Sequence, residues 1–179
     1  MTNPAIRRAT PADAEALSAF AAEVFPLGCP KTAAADLADY ISTELTPRCF
    51  LDLIEDANCI VLLAESTQRI VAYMVVVLRN PHPAITAAAP AEFRKLYLDP
   101  AFQGTGLADA LMHCALSILQ SEGPRPIWLS VFSGNPRAIT FYRRWGFRIV
   151  GTQLFHVGND PQADFIMQRN LTMTAASSH

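Results

Sequence analysis

Two glycines one residue apart, Gly104 and Gly106, stand between a strand-like segment that ends at Asp99-Pro100 and a long amphipathic segment that begins near Thr105. A strand, a glycine loop and a helix in that order aim free backbone N–H groups and the positive end of a helix dipole at one point. Glycine also lets the backbone approach a bulky anion with no Cβ in the way. A diphosphate suits such a loop. Two familiar phosphate loops are excluded by spacing. A Walker loop needs Lys and then Ser or Thr after its second glycine, and Leu107-Ala108 stands there. A dinucleotide fingerprint needs a third small residue at another spacing, after the first strand of a βαβ unit. This loop lies mid-chain, after a hairpin.

A second block, about 30 residues on, runs Asn135-Pro136-Arg137-Ala138-Ile139-Thr140-Phe141-Tyr142-Arg143-Arg144-Trp145-Gly146-Phe147. Together the two resemble the GNAT superfamily of acyl-CoA N-acyltransferases. That family's glycine motif, Gln/Arg-x-x-Gly-x-Gly/Ala, is met by Gln103, Gly106 and Ala108. Its Asn-x-x-Ala-x-x-Phe-Tyr-x-x-x-Gly-Phe segment is met at every fixed position. The resemblance runs from about Ile6 to Leu171. A third block, Phe155 to Met167, is similar to the end of PaiA-type polyamine acetyltransferases. Their Gly-x-Asp-x-Gln-x-Asp-x-Ile-Met pattern is met by Gly158, Asp160, Gln162, Asp164, Ile166 and Met167.

The resemblance implies transfer of an acetyl group from acetyl-CoA to a primary amine by direct attack in a ternary complex, with no covalent enzyme intermediate and no metal. The amine must be neutral to attack, yet a primary ammonium has a pKa of about 10.4. The carbonyl oxygen gains charge and needs an N–H donor. The departing thiolate benefits from a proton donor. The family pattern gives that last role to Tyr142. Glu92, at a strand start and in phase with Leu96 and Leu98, is the candidate base, with bulk water as the alternative. Leu96, Tyr97 and Leu98 would lend backbone groups to the pantetheine arm as to a neighbouring strand. Backbone N–H groups from Gln103, Gly104, Thr105, Gly106, Leu107 and Ala108 would hold the pyrophosphate. Asn135 would hydrogen-bond the pantetheine, with Arg137, Ala138 and Tyr142 beside it. Arg143 and Arg144 either approach the phosphates or form a solvated helix face. A Cys114–His113 nucleophile is excluded, because adjacent helical residues point about 100° apart and do not meet.

These residues need elements to hold them. Ala5 to Ala9 alternates as a short strand. Thr10-Pro11 opens a helix to about Val24, where Pro26, Gly28 and Pro30 stop it. Further helices follow at about Thr32–Glu44, and from Thr46-Pro47 to about Asp56. The apolar runs Cys59–Glu65 and Ile70–Leu78, joined by Ser66 to Arg69, predict a well-buried hairpin. After a proline-rich loop, Asn80 to Pro90, come a strand at about Glu92–Leu98 and a helix at about Thr105–Gln120. In that helix Leu107, Leu111, Cys114, Ala115 and Ile118 face inward. A strand follows at Ile127–Phe132, then a helix capped by Asn135 and closed by Gly146. The last strands fall at about Arg148–His156 and Asp164–Asn170. The order predicts one α/β domain over residues 1–171, a mixed and mostly antiparallel GNAT-like sheet of about seven strands with helices on both faces, and a frayed tail over 172–179.

Composition agrees with one globular domain. Of 179 residues, 51% are apolar and 17% charged, and the net charge is −2. No basic footprint for nucleic acid is present, and no run of about 18 apolar residues marks a membrane span. The N-terminus has charges where a signal peptide needs its apolar stretch, so a cytoplasmic location is expected. The four cysteines show neither CxxC pairing nor metal spacing and read as reduced, mostly buried thiols. Charge is uneven. From Pro11 to Asn58 nine acids face two bases, a surplus of seven negative charges, while the rest carries twelve bases against seven acids. An acidic acceptor side and a more basic CoA side would follow. The charge split and the third block point to a polyamine acceptor such as spermidine or spermine. Protein or peptide amines and small-molecule amines remain open, as does a module that binds acetyl-CoA without catalysis. Members of the superfamily commonly dimerise, and the late strands offer edges for a homodimer.

Overall fold

A computed structural model describes residues 4–123 and 125–170. The predicted tail, 172–179, lies outside the described residues. Strand β1 (Ala5–Arg8) leads through a 3-10 turn (Pro11–Asp13) into α1 (Ala14–Gly28), α2 (Ala34–Glu44) and α3 (Pro47–Glu55). Strands β2 (Cys59–Ser66), β3 (Arg69–Val77) and β4 (Ala91–Leu98) follow. Then come α4 (Leu107–Ser121), β5 (Ile127–Phe132), α5 (Pro136–Arg144), β6 (Arg148–Val157) and β7 (Asp160–Arg169). The seven strands form one sheet in the order β1-β2-β3-β4-β5-β7-β6, parallel only between β4 and β5.

The hairpin strands are apolar along their whole length because both faces are covered. Ile60, Leu62, Met74 and Val76 point to a core shared with α4 and α5 through Leu107, Leu111, Met112, Ala115, Leu119 and Ile139. Val61, Leu63, Tyr73 and Val75 point the other way, onto Leu17, Phe20, Ala21 and Val24 of α1 and Phe50 of α3. Thr67 and Gln68 make the β2–β3 turn with positive φ at both central residues, the backbone twist that suits a two-residue hairpin.

Four details depart from the sequence reading. Helix α1 runs on through Pro26 to Gly28, because the ring removes only one N–H near the helix end and the last turn buries Phe25 and Cys29. On α4, Met112 and Leu119 are buried beside Leu107, Leu111 and Ala115, whereas Cys114 and Ile118 lie at the core's edge. Strand β7 starts four residues early, at Asp160, since a tight turn at Gly158-Asn159 lets it pair with β6 at once. Of the four thiols, all free, only Cys29 is buried; Cys49, Cys59 and Cys114 are half-exposed.

Candidate active site

Strands β4 and β5 start side by side and then part. Among the described residues they pair only at Ala91–Ile127 and Glu92–Trp128. Beyond Glu92 the β5-facing edge of β4 has no strand beside it, and the sheet opens into a cleft of about 730 Å³. The space is within the range typical of small-molecule sites, about 300–1,000 Å³. Glu92, Leu96, Tyr97, Asn135, Ala138 and Tyr142, all singled out from sequence, line it. Leu98 ends the strand and packs against the core under α4.

The glycine loop sits past the end of β4. Gly104 (φ +77°) and Gly106 (φ +87°) take the left-handed backbone that the turn requires. Gln103, Gly104, Thr105 and Gly106 are exposed, Ala108 is half-buried and Leu107 anchors the helix start in the core. Among the described residues nothing engages the N–H groups of Gly104, Gly106, Leu107 or Ala108. They are the orphan donors of a fifteen-residue helix start, offered to solvent. Arg137 donates to Gln103 Oε1, so α5 is tied to this loop. Arg144 Nη2 lies 3.7 Å from Asp109 Oδ1 in the first turn of α4, and its guanidinium covers the Phe141 ring. Arg143 is exposed. Free N–H groups, an unpaired strand edge and a long cleft match the pyrophosphate and pantetheine of acetyl-CoA.

Asn135 caps α5: its Oδ1 accepts from the Ala138 N–H at 3.0 Å, which leaves its amide NH₂ available. Tyr142, seven residues into the helix, lies between Phe141 and Phe147, with ring centroids 5.4 and 5.8 Å away. Burial pushes its phenol far above the usual tyrosine range, so it stays protonated.

Glu92 departs from the sequence reading in phase. Val75 pairs with Lys95 and Val76 with Phe93, so Arg94 is the extra residue of a β-bulge. The bulge puts Glu92 on the face of Lys95 and Tyr97 in the cleft, and sets it opposite Leu96 and Leu98, which join the α4 core with Phe93. The Glu92 carboxylate is engaged through Oε2, with Arg94 Nε at 2.9 Å, Arg94 Nη2 at 2.8 Å and Asn80 Nδ2 at 2.8 Å.

Several cleft residues were not among the site candidates drawn from the sequence. Tyr40 of α2 stacks on Phe25 at 4.4 Å and meets Phe155 edge-on, an aromatic wall completed by Tyr97. Lys95 Nζ sits 6.0 Å over the Tyr40 ring, and burial, reinforced by Arg94, lowers its pKa. Ser130, Gln153 and Asp164 line the same space. Alternation along β5 hints at Ser130, but only the β5–β7 register shows that it meets Asp164. The third sequence block clamps α2 to the sheet. Asn159 N–H donates to Asp36 Oδ1 at 2.9 Å, and Gln162 Nε2 and the Thr32 hydroxyl both reach the Asp160 carboxylate. No Cys–His pair forms, since His113 packs edge-on against Trp145 at 4.7 Å. Among the described residues, no group of acids, histidines or cysteines suits a metal ion, and no helix is long and apolar enough to cross a membrane.

The acetyltransferase (GNAT) family model matches residues 27–147. An uncharacterized N-acetyltransferase of Mycobacterium tuberculosis is 36% identical over 160 residues, covering 89% of this chain and 98% of that protein, and a Mycobacterium bovis relative matches equally. Among solved structures, the PaiA N-acetyltransferase of Thermoplasma acidophilum in complex with coenzyme A has a TM-score of 0.75 at 19% identity, over 94% of this chain and 99% of that one. The ribosomal-protein-S18-alanine N-acetyltransferase of Escherichia coli has a TM-score of 0.70 at 15% identity, over 99% of both chains. Two neighbours with such different names score alike, so the fold does not choose the acceptor. The splayed strands, the glycine loop and the family match lead to one conclusion: the chain belongs to the GNAT family of acetyltransferases and uses acetyl-CoA as co-substrate.

Proposed function

We propose that the chain acetylates a primary amine of a small polycation, with spermidine and spermine as the leading acceptors. The observation that carries this is the charge of the cleft. Glu44, Asp52, Asp56, Glu92 and Asp164 line it against Arg94 and Lys95, five acids to two bases. Such a cleft concentrates cations and repels anionic amines. The PaiA-like pattern at Gly158–Met167 supports the same acceptor class.

The chain's own groups account for the work required. The unpaired edge of β4 orients the pantetheine arm, and the free N–H groups at Gly104–Ala108 take the phosphates. Acetyl-CoA supplies a thioester carbonyl, open to attack. Tyr142, held as the neutral phenol, gives its proton to the departing sulfur. A carboxylate in the cleft, Glu92 or Asp164, takes one proton from the incoming ammonium.

The test follows free CoA with a thiol reagent, in the presence of acetyl-CoA and spermidine, spermine, putrescine, lysine, a lysine peptide or an aminoglycoside. Release dependent on spermidine or spermine is expected. Release with another amine alone would overturn the polycation reading. No release with any amine, together with a raised melting temperature on adding acetyl-CoA, would point to a binding module.

A further inference from the structure

We infer that Asp164, and not Glu92, is the carboxylate that receives the acceptor's ammonium group and takes its proton. The inference rests on the acyl-transfer reading above and adds the residue that prepares the nucleophile.

The two carboxylates are held differently. Glu92 is already balanced by the Arg94 guanidinium, and a carboxylate so neutralised attracts a second cation weakly. Asp164, on β7, is 6% exposed. Among the described residues its one side-chain hydrogen-bond donor is the Ser130 hydroxyl at 2.6 Å, and no cation lies within ion-pair distance of it. A buried acid without a counter-charge is costly to keep ionised, and a substrate ammonium in the cleft would supply the charge that is missing.

A chain of oriented donors holds this carboxylate in place. The Ala84 N–H donates to His82 Nδ1 at 3.1 Å, so the remaining proton of the neutral ring sits on Nε2. His82 Nε2 donates to Gln153 Oε1 at 3.1 Å, Gln153 Nε2 donates to Ser130 Oγ at 2.9 Å, and Ser130 donates to Asp164. Each donor points toward the acid. The run begins in the Asn80–Pro90 loop, where the His82 ring lies 4.6 Å from that of Trp128. The loop thus reaches Asp164 by this route and Glu92 by Asn80.

The titratable groups facing Asp164 are the Cys29 thiol beyond α1 and the Tyr97 phenol of β4, and Cys29 also faces Asp160. Glu92, Arg94 and Lys95 of β4, Tyr40 and Glu44 of α2, and Tyr142 of α5 share the cleft. Burial raises the Asp164 pKa, the direction that makes a carboxylate a better proton acceptor, while Ser130 opposes part of the rise.

The protons balance as follows. The ammonium passes one proton to Asp164, which becomes the neutral acid. The freed lone pair forms the C–N bond while the C–S bond breaks and its pair stays on sulfur. Sulfur takes the Tyr142 proton, the second nitrogen proton restores the phenol, and Asp164 returns its proton to water.

The experiment compares wild type, D164N, S130A and E92Q. Each receives CoA-release kinetics with the amine panel from pH 5 to 9, melting with acetyl-CoA, and calorimetric titration of the CoA-saturated protein with each amine. D164N is expected to keep its acetyl-CoA melting shift, to lose amine binding, and to lower kcat/KM by about 100-fold, the lower end for a proton-transfer group. It should also lose the acidic limb of the pH profile. S130A, which removes the donor to Asp164 and the acceptor of Gln153, should lower kcat/KM less than D164N does and move that limb to higher pH. An acidic limb that survives D164N and disappears in E92Q would overturn the inference while leaving acyl transfer intact. Amine binding that needs Asp164 but yields no CoA release would sink the acyl-transfer reading and leave the ammonium site standing. A wild-type protein that binds no amine would overturn both.

Discussion

Glu92 and Lys95 share a face of β4 although three positions separate them, because Arg94 is looped out as the extra residue of a bulge. The bulge turns a charged pair into the cleft at the point where β4 and β5 part. E92Q releases Arg94 and removes one negative charge from the cleft. The pair is partly exposed, so its net worth is about 1 kcal/mol. Because Arg94 already balances Glu92, the KM for spermidine should rise by only about twofold at nearly constant kcat. Steady-state kinetics at pH 8 checks this. A fall in kcat with KM unchanged would place Glu92 in the chemistry instead.

The turn before β7 sets one wall of the cleft. Gly158 has φ +58°, and a Cβ there would lie 2.6 Å from Asp36 Oδ1 and 2.9 Å from Asp36 Cα on α2. G158A therefore pushes on backbone and should cost about 1–3 kcal/mol. For a chain of this size that is roughly 2–10 °C in melting temperature. Helix α2 carries Tyr40 and Glu44 into the cleft, so the KM for the amine should rise while acetyl-CoA affinity holds. Equal weakening of both would mean that α2 is not displaced locally.

Much of this was legible in the chain. The glycine loop, the Asn135 cap and the hairpin rest on local chemistry: a positive φ, an orphan N–H, a turn. Local rules reveal such features without knowledge of the rest of the fold. The bulge at Arg94 was not legible, because a bulge is a mismatch between two strands and only pairing with Val75 and Val76 defines it. The Asp164 network escaped for a similar reason. Its members are separated by 23 to 71 positions and meet only through the β5–β7–β6 register and the loop laid over it. Pro26 misled because proline disfavours helix interiors strongly, yet here it falls in the last turn, which is held by packing of Phe25.

The proposed proton donation from Tyr142 to sulfur rests on its place in the cleft on α5 and on a burial that keeps its proton on. Y142F should lower kcat by about 100-fold, as expected for loss of a proton donor. The KM for acetyl-CoA should barely change, since the ring between Phe141 and Phe147 is kept. Turnover equal to wild type would end the assignment.

At the far edge of the sheet, Asp13 accepts from Arg7 Nη1 and Nη2 at 2.8 Å, and Arg7 also holds Glu65. The guanidinium, with help from the Thr10 N–H and hydroxyl, holds the Asp13 carboxyl well below the usual range. A depressed pKa stabilises the fold above the unfolded value of about 3.9 and ceases to do so as pH falls through the folded value. Arg7 is 39% exposed, so the gain is discounted to about 1–2 kcal/mol. Melting of wild type and D13N from pH 7 down to 2.5 should show a gap that is constant above about pH 5 and narrows steadily as pH falls below about 4. A gap independent of pH would mean that D13N acts through the Thr10 cap and not through charge.

Tyr73 is fully buried under α1, stacked on Tyr97 at 5.6 Å and met edge-on by Phe50 at 5.5 Å. Its hydroxyl finds no partner among the described residues, and burial pushes the phenol well above its usual range, so the O–H is a desolvated donor with nothing to donate to. Leaving such a group unpaired costs about 1–3 kcal/mol, whereas the ring itself contributes apolar packing that phenylalanine keeps. Y73F removes the cost and retains the packing. The melting temperature should rise by roughly 2–4 °C, the shift that about 1 kcal/mol gives a chain of this length. The ring lies behind Tyr97, away from the reacting groups, so the KM for acetyl-CoA should stay the same. A lower melting temperature in Y73F would show that the hydroxyl is held by an internal water, whose loss leaves its other partners unpaired.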